Sequence, residues 1–170
     1  MTESHSKHIL SIMVDNEPGV LARIVGLFSG RGYNIESLSV SEVDSDRFLS
    51  RVTVVTSGTK NIIDQIKAQV RKLIPVHNLI DITELKSFIG KELILMKLDI
   101  KQKTVQEVHK HIENIGAKIL FEDKTTTIIE FSGTPTEISS LIKKMKVYNI
   151  VELTRSGLVS MALGKDYIRR

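Results

Sequence analysis

The residues best suited to chemistry form a short loop, Asn16-Glu17-Pro18-Gly19, between an apolar segment and a helical pattern. The first N–H groups of a helix have no partner inside the helix, and they lie at the positive end of its dipole. The loop therefore predicts a site for a small anion such as a carboxylate. We expect this anion to be the carboxylate of a free amino acid.

An ordinary helix start explains part of the same loop. Asparagine is a good N-cap, and proline is common in the first helical turn. Gly19, by contrast, costs about 1 kcal/mol relative to alanine inside a helix. A glycine at this position therefore needs a further reason, and close approach of a ligand to the backbone is one. Residue spacing alone does not decide between these two interpretations.

Apolar periodicity places this loop in a regular order of elements. It predicts strands over residues 8–15, 34–43, 48–56 and 76–84, and helices over residues 18–29 and 59–74, the second helix ending before Pro75. The resulting order is strand, helix, strand, strand, helix, strand. This order is typical of the ferredoxin-like βαββαβ unit, in which two helices cover one face of a four-stranded antiparallel sheet. We expect the other face to stay open for a partner.

The second half of the chain repeats this order. Strands are predicted over residues 92–100, 117–122, 126–131 and within 150–163, and helices over residues 104–115 and 134–147. Ser132-Gly133-Thr134 repeats Ser57-Gly58-Thr59 before the second helix, and Gly116 follows the first helix as Gly32 does. Thr104 and Glu107 have capping-box spacing, and Thr134, Pro135 and Glu137 supply an N-cap, a first-turn proline and a capping-box acid for the second helix of this half. The sequence thus predicts an α+β protein of two tandem ferredoxin-like domains, residues 1–84 and 92–170, joined by a linker over residues 85–91.

The loop motif itself is not repeated. Residues 100–104 read Ile-Lys-Gln-Lys-Thr, with no glycine and two lysines. A ligand site at the first loop is therefore not expected at the second.

Composition excludes several functional classes. The chain has no cysteine and 41% apolar residues, and no apolar run approaches the roughly 20 residues of a membrane helix. Residues 1–8 lack the apolar core of a signal peptide, so we expect a cytoplasmic protein without a membrane partner. His109 and His111 are two positions apart on a predicted helix and point to different faces, which argues against a shared metal. We expect no catalytic residues and no metal.

Nucleic-acid binding is the other alternative, because RNA-recognition motifs share the βαββαβ order. Those modules stack bases on aromatic side chains of the central strands within a basic aromatic signature. The strands over residues 48–56 and 126–131 lack that signature. Lys143, Lys144 and Lys146 are typical of a solvated helix face. We therefore expect no nucleic-acid partner.

Two motifs together resemble a known family. The run GVLARIVGLFSGRGYNIESLSV, with Asn16 upstream, and the later motif Arg155-Ser156-Gly157-Leu158-Val159 are similar to the regulatory small subunit of acetolactate synthase, also called acetohydroxyacid synthase. The resemblance extends from about Ile9 to Gly164. It implies an N-terminal ACT domain and a C-terminal domain of related topology.

The resemblance also implies a function. Such a subunit is not catalytic; it raises the activity of a separate large catalytic subunit and confers feedback inhibition by a branched-chain amino acid, most often valine. Thiamine diphosphate, magnesium and FAD would belong to that large subunit, and this chain would bind no cofactor. An amino-acid sensor of the ACT type that regulates a different enzyme or a transcription factor is the alternative.

The same family places the effector between two copies of the ACT domain. The resemblance implies that Asn16 binds the polar end of the effector and that Gly19, Val20 and Leu21, following Pro18, offer backbone N–H groups to its carboxylate. Asn34 and Ile35 of the second copy would close the site, so a homodimer is expected. Taken without the family, Asn34 is an ordinary turn residue after Gly32-Tyr33.

Overall fold

The structure is a computed structural model that describes residues 5–100, 105–165 and 167–168. Contacts divide these residues into two units. The first unit extends to Ile89 and also includes the segment that begins at Leu158, and the second unit spans Gly90–Gly157.

The first unit is the predicted βαββαβ arrangement. Its elements are β1 (Ser6–Asp15), α1 (Val20–Ser29), β2 (Ser37–Asp44), β3 (Leu49–Gly58), α2 (Lys60–Val70) and β4 (Val76–Asp81), followed by a 3-10 turn (Ile82–Glu84). The strands form one antiparallel sheet in the order β2-β3-β1-β4. This is the strand order of a ferredoxin-like unit, so the predicted fold class is confirmed for this half.

Alternation along β1 explains why both helices pack on one face. Successive side chains of a strand point to opposite faces of its sheet, and Leu10, Ile12 and Val14 all point toward the helices. The other buried members of this core are apolar residues of the two helices and of β3 and β4: Val20, Ile24, Phe28, Val52, Val54, Ile63, Ile66, Val70 and Leu79. The amphipathic stripes of α1 and α2 can bury themselves only against this face.

The second unit has the same topology. It contains the greater part of β5 (Phe88–Asp99), with α3 (Val105–Asn114), β6 (Lys118–Glu122), β7 (Thr126–Gly133), α4 (Pro135–Met145) and β8 (Asn149–Arg155). The sheet order is β6-β7-β5-β8, the counterpart of the first unit. The short strand β9 (Val159–Ala162) lies in the later segment that belongs to the first unit. The predicted duplication of the fold is therefore confirmed.

Capping chemistry agrees with the sequence at α4. The Thr134 hydroxyl accepts from the Glu137 N–H while the Glu137 carboxylate accepts from the Thr134 N–H, a complete capping box. The corresponding prediction for Thr104 and Glu107, and the comparison of loop residues 101–104, lie outside the described residues.

Several predicted boundaries differ from the structure. Helix α1 begins at Val20 instead of Pro18, and α2 ends at Val70 instead of Ile74. Ile74, the last residue of the predicted second helix, is 96% exposed because the chain has already left the helix. The predicted linker is also shorter, since β5 begins at Phe88.

The last described residues pack with the first unit, whereas the sequence assigned them to the second domain. Leu158 is buried against Ile9, Val55 and Ile82. Ile168 is buried in the same way against Met13 and Leu49. Ile9 and Met13 alternate with the helix-facing residues of β1, so this segment covers part of the face that was expected to be open. Burial of these apolar side chains explains its position.

Candidate functional site

Gly19 has a structural role that its sequence position did not reveal. It is the N-cap of α1 with φ +84° and ψ −7°, and so lies before the helix and not inside it. Residues with a Cβ rarely adopt this left-handed conformation, whereas glycine adopts it without strain. Gly19 therefore carries no cost of a glycine inside a helix, because it lies before the helix in a backbone conformation that already requires glycine. A Cβ built on Gly19 has no atom within 4 Å, so the space beside it is open.

The start of α1 has free hydrogen-bond donors. No side chain caps this end, and the first turn contains no acidic residue. Within the described residues, the N–H groups of Gly19 and Leu21 have no acceptor, while the Val20 N–H donates to the Glu17 carbonyl at 3.3 Å. Unpaired N–H groups at the positive end of a helix attract an anion. Two of the three predicted donors are thus available, and the third makes a long bond.

Backbone hydrogen bonds hold the loop in place. The Asn16 N–H donates to the Phe48 carbonyl at 2.6 Å, and the Asp15 N–H donates to the Pro75 carbonyl at 2.9 Å. Phe48 was not singled out from the sequence, although it has a positive φ of 52°. The only sequence signal nearby is the polar turn that precedes it. The side chains of Asn16 and Pro18 are exposed beside these bonds.

The second group of predicted site residues, Asn34 and Ile35, lies just before β2, which begins at Ser37 and not at residue 34 as the sequence predicts. The Asn34 carbonyl accepts from the Thr56 hydroxyl at 2.7 Å, which fixes its backbone against β3. Ile35 packs against the core of the first unit. The Asn34 side chain is exposed and has no hydrogen-bond partner in the described part of the chain. It is therefore free to bind a ligand or a partner.

Strand register separates the two groups within one chain. Asp15, beside the loop, pairs with Leu49 on β3, whereas Ser37, beside Asn34 and Ile35, pairs with Val55, which itself pairs with Ile9. Ile9 and Asp15 are six residues apart on β1, which corresponds to about 20 Å at roughly 3.3 Å per residue. A single chain does not bring the two groups together.

The later motif, which begins at Arg155, stabilises strand pairing. The Arg155 guanidinium forms an ion pair with the buried Glu92 carboxylate, its Nε at 3.1 Å from Oε2. The Ser156 hydroxyl accepts from the Leu93 N–H at 2.9 Å. Removing Arg155 would leave Glu92 as a buried unpaired charge. Arg155 and Ser156 of this motif are therefore explained by the pairing of β5 with β8, while Leu158 packs in the first unit.

The histidines of α3 have separate partners, as their spacing predicted. The His109 ring lies 2.7 Å from the Glu122 carboxylate, and the His111 ring lies 2.9 Å from the Tyr148 hydroxyl. Burial, together with the nearby Glu107, raises the pKa of Tyr148. Across residues 5–100, 105–165 and 167–168, no three His, Asp or Glu side chains are grouped closely enough to hold a metal ion. Nor is any helix in those ranges long and apolar enough to cross a membrane.

Comparison with known proteins assigns a family to both halves. Residues 10–78 match the family model described as the AHAS small subunit-like ACT domain, and residues 91–164 match the model of the small subunit of acetolactate synthase. A probable acetolactate synthase small subunit from Archaeoglobus fulgidus is 37% identical, covering 93% of this chain and 98% of that protein. The acetolactate synthase isozyme 3 small subunit of Salmonella typhimurium is 34% identical, covering 96% and 99% respectively.

A solved structure agrees with these matches. The crystal structure of the acetolactate synthase small subunit from Thermotoga maritima has a TM-score of 0.86 and 29% identity, and the match covers 95% of this chain and 99% of that one. The similarity thus includes both βαββαβ units and is not confined to the ACT domain. On these grounds, the chain belongs to the family of acetolactate synthase small subunits.

Proposed function

We propose that this chain is the regulatory subunit of an acetolactate synthase in the cytoplasm. It activates a large catalytic subunit and makes that subunit sensitive to feedback inhibition by a branched-chain amino acid, with valine as the first candidate. The observation that carries this proposal is the match to small subunits over nearly the full length of both partners in the comparison. Thiamine diphosphate, magnesium and FAD act on the large subunit in this proposal.

The effector's carboxylate binds at the start of α1. The N–H groups of Gly19 and Leu21 lack acceptors among the described residues, and the space beside Gly19 is open. The exposed Asn16 amide can accept from the effector's ammonium group or donate to its carboxylate. Leu21 is 39% exposed next to these donors and offers an apolar contact. Burial of a branched aliphatic side chain adds about 1.5 to 3 kcal/mol to binding.

A second copy of the chain completes the site. Asn34 and Ile35 adjoin the residue that lies level with Ile9 across the sheet, and Ile9 is about 20 Å along β1 from Asp15 and the loop, a separation that no amino acid spans. Pairing of two first units about a two-fold axis would bring the loop of one copy to the β2 start of the other, and would form two equivalent sites. We therefore propose a homodimer through the first unit, in which each effector contacts both copies.

Thermal unfolding with added ligands tests effector binding. The purified chain is heated with valine, leucine, isoleucine or glycine, the last serving as a control without an aliphatic side chain. A ligand at one hundred times its dissociation constant stabilises the folded state by about 2.7 kcal/mol. We expect stabilisation by at least one branched-chain amino acid and none by glycine.

Reconstitution with the catalytic subunit tests the regulatory role itself. Acetolactate formation is measured for the large subunit alone, with this chain, and with this chain and the effector. We expect this chain to raise the rate and the effector to reduce it. An unchanged rate on addition of this chain, with a complex shown to form, would contradict the proposal.

A further inference from the structure

The second unit contains a cavity that is separate from the candidate site at the start of α1. Its volume is about 230 Å³, and it lies between α4, the end of α3 and β7. The floor is apolar and the rim is polar. The lining residues are Ile115, Phe131, Glu137, Ser140, Leu141 and Lys144.

The internal duplication shows which residues of the first unit occupy the equivalent place. After α1, Gly32 has φ +70° and the Tyr33 N–H donates to the Phe28 carbonyl at 2.9 Å. After α3, Gly116 has φ +71° and the Ala117 N–H donates to the Ile112 carbonyl at 3.1 Å. The two turns are the same motif, so Tyr33 corresponds to Ala117.

The second helices align just as closely. Thr59 and Thr134 are the N-caps of α2 and α4, with nearly equal backbone angles. Each N-cap carbonyl accepts from the N–H four residues later, at 3.0 and 2.9 Å. Counting from these caps, Gln65 corresponds to Ser140 and Gln69 corresponds to Lys144.

These substitutions explain why the cavity is present. In the first unit, the Tyr33 hydroxyl donates to Gln65 at 3.3 Å and the Arg31 guanidinium donates to Gln69 at 3.3 Å, which connects the turn after α1 to α2. In the second unit the Tyr33 equivalent is an alanine, and the Gln65 equivalent is a serine. Arg31 is replaced by Ile115, which cannot donate to the helix opposite. The gap between the helices is therefore left unfilled.

The rim offers one free cation and one free hydroxyl. Within the described residues, neither the Lys144 ammonium nor the Ser140 hydroxyl has a polar partner. Both lie on the same side of α4, because residues four positions apart share a helix face. An ammonium group and a hydroxyl placed next to each other suit a carboxylate.

The other end of the cavity carries a carboxylate with one oxygen still available. Glu137 Oε2 accepts from the Thr134 N–H at 2.6 Å and lies 3.4 Å from the Lys91 ammonium. The Thr134 N–H and hydroxyl and the nearby Lys91 lower the pKa of Glu137, so the group is ionised near neutral pH. Oε1 has no partner in the described ranges. It can accept from a ligand's ammonium group.

We propose that this cavity binds a small carboxylate with a branched aliphatic or aromatic body. The carboxylate contacts Lys144 and Ser140, and the body lies on Ile115, Phe131 and Leu141. An α-ammonium group, where the ligand has one, is bound by the free oxygen of Glu137. A closed cavity of about 150 Å³ is large enough to bind benzene, so a body of this size fits. This ligand site is independent of the loop at Gly19.

The test measures calorimetric binding of two probes, 3-methylbutanoate and leucine, to the full chain. All titrations use a Gly19→Asp background, so that binding at the loop does not contribute to the measured heat. A failure of the proposed loop site can then be distinguished from a failure of this cavity proposal. Lys144→Gln removes the cation and introduces the residue found at the equivalent position of the first unit. Lys143→Gln, on the same helix but outside the cavity, is the matched control. Ala117→Tyr refills the gap.

We expect at least one probe to bind, with a dissociation constant that rises tenfold or more in Lys144→Gln and stays within twofold in Lys143→Gln. Ala117→Tyr should abolish binding of the probes if this variant folds. If it does not fold, the comparison of Lys144→Gln with its parent is the deciding measurement. Tighter binding of leucine than of 3-methylbutanoate would support the contact with Glu137. Failure of both probes to bind at millimolar concentration, or equal binding by Lys144→Gln and its parent, would overturn the proposal.

Discussion

A substitution pair at Gly19 separates the effects of backbone strain and added volume from the effect of a negative charge at the start of α1. Gly19→Asp and Gly19→Asn add side chains of nearly equal size at a residue with φ +84°. A left-handed conformation costs most residues about 1 to 2 kcal/mol, and Asp and Asn tolerate it best. The two variants should therefore lose similar amounts of stability. They differ in charge at the point where the effector's carboxylate is proposed to lie.

The expected loss of affinity follows from the free donors. The effector's carboxylate would accept from the Gly19 and Leu21 N–H groups, and a hydrogen bond to a charged group contributes about 1.5 to 3 kcal/mol. Loss of one such bond corresponds to about a 10- to 150-fold weaker effector. Gly19→Asp should lose at least this factor, because its carboxylate occupies the same donors and repels the ligand. Gly19→Asn should bind more tightly than Gly19→Asp.

The assay is inhibition of the reconstituted complex by valine, measured alongside assembly of the two subunits. We expect Gly19→Asp to assemble normally and to resist valine at concentrations that inhibit the parent complex fully. The same substitution at Gly116, which has φ +71° and also has open space beside it, is the control for backbone strain alone. Retained inhibition by Gly19→Asp would remove the loop from the mechanism.

A mixed dimer tests whether two copies share each site. Asn34→Ala removes an exposed side chain with no hydrogen-bond partner in the described residues, so it should lower effector affinity without lowering stability. A dimer of one Gly19→Asp copy and one Asn34→Ala copy would contain one doubly altered site and one intact site. We expect this mixed dimer to bind one effector with parental affinity. If each site lay within one chain, no intact site would remain, and parental affinity would be lost.

Three further predictions concern stability, each checked by denaturant unfolding. Thr134→Ala should cost about 1 kcal/mol because it destroys a complete capping box, whereas Thr59→Ala should cost less because the Thr59 side chain makes no capping bond; equal losses would contradict this. Phe28→Ala should cost about 3 to 5 kcal/mol because Phe28 is fully buried, and the exposed Ile74→Ala should change stability by less than about 0.5 kcal/mol. Hydrogen bonds from the Thr125 and Thr126 N–H groups and the Thr125 hydroxyl lower the pKa of Asp123 to about 2. A lowered folded-state pKa stabilises the protein above the unfolded value near 4, and this contribution disappears as the pH falls toward 2. Asp123→Asn should therefore be less stable than the parent at neutral pH and match it near pH 2. A difference in unfolding free energy that does not narrow at low pH would refute the lowered pKa of Asp123.

The elements of both units follow from local patterns that need no tertiary information. Alternation in β1 and helical spacing in α1 and α2 each require one buried face, and only a sheet covered by two helices satisfies all of them. The capping box at Thr134 was predicted for the same reason, since its chemistry lies within four residues. The end of α2 was not predicted correctly, because Leu73 and Ile74 continue the apolar spacing although the chain turns after Val70.

Part of the candidate site could likewise be predicted from local sequence, and part of it depended on the tertiary structure. The sequence by itself predicted a site at the loop of Asn16 and Gly19, because helix N-termini have unpaired donors wherever they occur. Only the tertiary structure showed that Gly19 is required by its positive φ, and that register holds the loop and Asn34 at opposite ends of β1. The burial of Leu158 and Ile168 on the first unit likewise depends on contacts between residues far apart in sequence. Periodicity specifies which face of an element is buried, whereas the identity of what covers that face is decided by the packing of the folded chain.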